Sequence, residues 1–138
     1  MKYKKNIIVT THGEKYKTTI LAGNHILLTD EPLDHDGQDL GPTAHQLLLS
    51  ALGACMAITI KMYADRKQWP LNDVSVELNM EKYLEDGTEK TRIYKNIKLD
   101  GDLSPEQIER LLLISHKCPV HKTLSNPITI QSFPQSWV

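Results

Sequence analysis

The chain holds two cysteines, Cys55 and Cys118, and their sequence surroundings differ sharply. Cys118 lies in "HKCPVHKTL", residues 116–124, flanked by His116, Lys117, His121 and Lys122. Pro119 suits the first position of a helix, which places Cys118 at a helix start. The positive end of a helix dipole and basic neighbours both favour a thiolate, the form of cysteine that attacks electrophiles and binds metals. The plainer reading is a cysteine packed as a small hydrophobe, with the basic residues satisfying the last carbonyls of the preceding helix. Cys55 sits inside "LLLSALGACMAITI", the most apolar stretch of the chain. Burial there raises a thiol pKa, and packing is the ordinary role of such a residue. Local chemistry alone therefore selects Cys118 as the nucleophile.

Metal chemistry is the other use of these side chains. His116, Cys118 and His121, with Cys55 or another histidine as a fourth ligand, could form a zinc set. Their spacing matches no paired Cys or His motif, and Pro119 restricts convergence, so no metal is expected. Asp34, Asp36 and Asp39 resemble a sparse calcium loop without its terminal glutamate. His12, His25, His35 and His45 are isolated and read as solvated.

The elements that must position the cysteines follow from patterning. "NIIVT", "YKTTILAG" and "NHILLTD" are short β-rich runs separated by turn residues, a three-stranded meander. After the loop "DEPLDHDGQDLGP", Thr43 opens a capping box with Gln46, and the helix runs to about Lys67. From Leu47 to Ile60 only Ser50 and Thr59 are polar, so this helix is apolar nearly all round. Such a helix is central to a core or lies in a membrane. The uninterrupted run is shorter than the roughly 18 residues of a span, which favours the core. One chain of 138 residues has few elements left to wrap it, so a homodimer is expected. Ala51, Gly53 and Ala54 thin the helix and predict a close backbone approach.

"QWPLND" breaks the helix, and "VSVELNMEKYL" and "TRIYKNIKLDG" form a hairpin about Asp86-Gly87. Ser104 to Gln107 is a second capping box, opening "PEQIERLLLISHK". A short turn of helix after Pro119 and a last strand "ITIQSF" complete the order. The result is an α+β fold in a single domain spanning residues 1–138.

Composition sets the bounds. Charged residues make up 24% and hydrophobic residues 40%, as in a soluble globular protein. A formal net charge of −1 gives no reason to expect nucleic acid or a membrane as partner. "MKYKKNIIVTTHGEKYK" lacks the apolar core of a signal peptide, which leads to a cytoplasmic expectation and reduced thiols. Two cysteines make no disulfide framework.

"GPTAHQLLLSALGACMAITIKMYADRKQWPL" together with "CPVHKTL" resembles the OsmC/Ohr family, the osmotically inducible and organic hydroperoxide resistance proteins. The similarity runs from about Asp30 to the end, and "MYADRKQWPL" is closest to an OsmC-like branch distinct from the dedicated peroxide-detoxifying ones. The resemblance implies an intertwined homodimer, with two central helices covered by β-sheets. It implies a thiol peroxidase in which Cys55 attacks an organic hydroperoxide and Cys118 resolves the product as a disulfide. It implies no cofactor beyond an external dithiol reductant. This reverses the local choice of nucleophile.

The chain also departs from the family pattern. Peroxide-specific members carry a carboxylate near the helix start and an arginine from the N-terminal strands. Here His45 and Gln46 occupy the helix start, and the N-terminal strands offer only Lys15 and Lys17. Lysine does not reproduce a bidentate guanidinium. His45, Gln46, His116 and His121 are the candidate supporting residues. A non-catalytic dimer that binds a small apolar ligand, and a redox or metal sensor, are the alternatives.

Overall fold

The computed structural model describes residues 6–133, which fall into two compact units divided after Ser50. The first unit carries the meander: β1 (Ile7–Thr11), β2 (Thr18–Ala22) and β3 (His25–Thr29), antiparallel in that order. The loop that follows is tied down by Asp30, which is buried and accepts hydrogen bonds from the backbone N–H groups of Glu31 (2.7 Å) and Leu40 (3.2 Å). Asp36 and Asp39 adopt left-handed backbone conformations, so they serve as turn residues here. The long helix α1 (Ala44–Lys67) starts with the expected capping box. The Gln46 side-chain oxygen accepts from the Thr43 N–H at 2.8 Å, and Thr43 Oγ1 accepts from the Gln46 N–H at 3.2 Å.

The second unit begins within α1. Leu52, Met56, Ile60 and Ala64 are buried at four-residue intervals, one stripe of the helix surface. This stripe meets the inner face of a hairpin, β4 (Leu71–Glu85) and β5 (Thr88–Gly101). The hairpin turns on two residues, Asp86 and Gly87, both at positive φ, the geometry that matches strand twist. Strand β4 starts at Leu71, inside the segment expected to be only a breaker, with a register irregularity between Leu71 and Asp73. Gly53 lies against the sheet: a Cβ there would stand 2.7 Å from Leu78 Cδ1. The close approach expected from the thin stretch is therefore present.

Helix α2 (Pro105–Ile114) starts with the Ser104–Gln107 capping box and Pro105 in its first turn. It passes into a 3-10 turn over Ser115–Lys117, then Cys118, then α3 (Pro119–Ser125). The expected strand "ITIQSF" does not form: residues 128–133 join neither sheet among the described residues. A strand needs a neighbour for its backbone N–H and C=O groups, and an apolar run alone does not supply one. Ile130 is 93% exposed.

By length and composition alone α1 could also cross a membrane, despite the polar interruptions at Ser50 and Thr59. Its buried stripe packs on the hairpin, while Ile58 and Met62 are 58% and 59% exposed.

Candidate functional site

The hairpin, α1 and the segment from α2 to α3 converge on the two cysteines. Cys118 is fully buried with Leu52 and Met56, and Cys55, Val76, Leu78, Ile93, Val120 and Leu124 pack against that group. Cys55 packs against the buried group that holds Cys118 and is close enough to act on its thiol. Two residues far apart in sequence are thus neighbours in space. Cys55 is the more accessible of the two, being half-buried.

The electrostatics at Cys118 run against its local sequence. Burial raises the thiol pKa above its usual value, and its S–H contact with Cys55 raises it further. The backbone N–H groups of His121 and Val120 act in the opposite direction without overcoming burial. The His121 N–H donates to Cys118 Sγ at 3.4 Å, so Cys118 does cap the seven-residue α3. The basic neighbours are elsewhere. Lys117 and Lys122 are exposed, and Lys117 lines a separate groove of about 680 Å³ with Tyr63, Arg66 and Lys67. The expectation of a Cys118 thiolate from sequence neighbours is therefore corrected: depth in the core outweighs charges that point away.

A cation beside the turn that carries Cys118 comes from β5. Lys95 occupies the inward row of that strand, between Ile93 and Ile97 and opposite Leu78. Its ammonium donates to Ser115 Oγ at 3.2 Å, and Ser115 Oγ in turn donates to the Leu112 carbonyl at 2.6 Å. Burial lowers the Lys95 pKa, while attraction to Cys118 opposes the lowering. Sequence reasoning misses Lys95. The signal is present in "IYKNIKL", where period-two alternation sets one lysine in a row of isoleucines and leucine.

Beside this pair lies a cavity of about 230 Å³, lined by Leu52, Met56, Thr91, Ile93, Lys95, His121, Leu124 and Ser125. It is apolar on the α1 side and carries Thr91, Lys95, His121 and Ser125 as polar residues. Burial lowers the His121 pKa, and Lys95 and His116 lower it further by repulsion, so the ring favours its neutral form. The His116 and His121 rings lie 5.5 Å apart and tilted. Among the described residues no group of three or more His, Cys, Asp and Glu side chains is arranged to hold a metal ion.

Of the candidate residues, Cys55, Cys118 and His121 are together in the second unit, and His116 stands beside His121. His45 and Gln46 belong to the first unit, where Gln46 is occupied by the capping box.

The family model described as OsmC-like protein matches residues 36–132. Solved structures share the architecture at low sequence identity. An OsmC-like protein from Mycoplasma pneumoniae superposes with a TM-score of 0.74 at 23% identity, covering 90% of this chain and 89% of that one. An organic hydroperoxide resistance protein OsmC from Legionella pneumophila gives 0.65 at 21%, covering 90% and 92%. The organic hydroperoxide resistance protein OhrB of Bacillus subtilis gives 0.62 at 20%, covering 88% and 91%. No curated protein matches the chain. The family match covers well over half the chain, and the same fold recurs in these structures: this protein belongs to the OsmC family.

Proposed function

We propose that this protein is a cysteine-based peroxidase that reduces organic hydroperoxides through a Cys55–Cys118 disulfide cycle. The observation that carries the reading is the packing of Cys55 against the buried group of Leu52, Met56 and Cys118, whose Leu52 and Met56 also wall a cavity. Cys118 is the more deeply buried sulfur and burial holds its proton, which leaves half-buried Cys55 as the better candidate for attack. Attack on the outer peroxide oxygen breaks the O–O bond. The alkoxide takes a proton and leaves as an alcohol, and Cys55 becomes a sulfenic acid. Cys118 then displaces the sulfenic hydroxyl: the S–S bond forms, the S–O bond breaks, and the Cys118 proton leaves with the hydroxyl as water. An external dithiol restores both thiols and is itself oxidised to a disulfide.

The cavity supports an organic substrate, because Leu52, Met56, Ile93 and Leu124 offer an apolar wall to an alkyl group. The same wall supports a second reading, a non-catalytic binder of a small apolar ligand. A homodimer is part of the proposal. Ile58 and Met62 on α1 are exposed in one chain, and a second copy would cover them. Mass spectrometry after one equivalent of cumene hydroperoxide separates the readings. Loss of two hydrogens, reversed by a dithiol, supports the peroxidase; an unchanged mass in the presence of intact peroxide refutes it and leaves the binder.

A further inference from the structure

A lysine on the inward row of a sheet is costly to bury, and Lys95 lies among Ile93, Ile97 and Leu78 with its ammonium held by Ser115. Ser115, which holds the ammonium, also accepts from the Cys118 N–H through its carbonyl at 3.3 Å, so Lys95 stands one short turn from the Cys118 sulfur. Resting on the peroxidase reading, we infer that Lys95 is the positioning residue of the resolving step, its ammonium stabilising the Cys118 thiolate that attacks oxidised Cys55.

The chemistry requires such a charge. Burial keeps Cys118 protonated in the reduced protein, which opposes its use as a nucleophile. Once Cys55 carries a sulfenic hydroxyl, Cys118 must release its proton before its sulfur can form the S–S bond. Lys95 lowers the energy of that anion without accepting the proton. Neutral His121, whose backbone N–H donates to Cys118 Sγ, would take the proton and return it to the departing hydroxide, so that water leaves. The titratable and polar groups around Cys118 are Cys55 from α1, Lys95 from β5, Ser115 and His116 from the 3-10 turn and His121 from α3; β4 presents the apolar Val76 and Leu78. Lys95 is thus the fixed cation of the site, and Ser115 sets its direction.

The Cys55→Ser protein carries Cys118 as its sole thiol, so its ionisation can be read by ultraviolet thiolate absorbance against pH, with the double serine variant subtracted. Adding Lys95→Gln, which keeps a donor for Ser115 but removes the charge, should cut the thiolate fraction about tenfold at a given pH. Lys95→Arg should restore it to within about threefold, which a purely structural role for the side chain would not predict. Coincident titrations of Cys55→Ser with and without Lys95→Gln would overturn the inference. In the protein with both cysteines, Lys95→Gln should prolong the Cys55 sulfenic acid about tenfold after one equivalent of cumene hydroperoxide, as trapped by dimedone. Failure to form any sulfenic acid in Cys118→Ser would refute the peroxidase reading alone, because the titration decides the Lys95–Cys118 coupling independently.

Discussion

The Cys118 thiol lies against Cys55, joining the loop before α3 to the middle of α1. The contact divides the labour of the two sulfurs by environment. Cys118 is fully buried and holds its proton, whereas Cys55 is half-buried within one chain. A peroxide must reach the attacking sulfur from outside, and the resolving sulfur needs only its neighbour. The shallower burial of Cys55 within the chain therefore favours the assignment that sequence neighbours alone reverse.

The exposed row on α1 predicts association. Ile58 and Met62 leave apolar surface open beside the stripe that the hairpin covers. Light scattering at micromolar concentration should give a dimer, and Ile58→Glu with Met62→Glu should abolish it or precipitate the protein. A stable, folded wild-type monomer would contradict this.

His121 predicts a loss of stability on the acid side. Its folded pKa lies below the usual 6.5, so the unfolded chain binds a proton more readily. Stability from this group is complete well above pH 6.5 and falls as the pH drops from there through the folded value. Urea midpoints measured across this range should decline for the wild type and decline less for His121→Gln. Parallel declines would show that His121 is not the titrating group.

Gly53 predicts a packing limit. An alanine gains helix propensity and meets only the mobile end of Leu78, so Gly53→Ala should change stability little. Gly53→Val forces branched methyl groups toward Leu78 and Val76 and should destabilise by about 1–3 kcal/mol. Equal unfolding midpoints for the wild type and the valine variant would show that α1 can move away from the sheet.

Much of the fold is legible in the sequence because local rules and tertiary structure agree. The Thr43 and Ser104 capping boxes, the Asp86-Gly87 turn and the meander all form where side-chain chemistry and period place them. The strand expected at "ITIQSF" is absent from both sheets, because alternation reports a face and not a partner strand. The site is legible by residue type but not by environment. Charge counted along the chain credits Lys117 and Lys122 to Cys118, yet both are exposed. The cation beside the Cys118 turn is Lys95, held on Ser115 and brought by a hairpin register that only the folded sheet reveals.

The central claim is that Cys55 attacks and Cys118 resolves, and paired serine variants test it most directly. After exposure to an organic hydroperoxide, Cys55→Ser should consume none. Cys118→Ser should undergo one oxidation, trapped at Cys55 as sulfenic acid and passing to sulfinic acid with excess peroxide. Continued peroxide turnover by Cys55→Ser, with the sulfenic acid found on Cys118, would contradict the account.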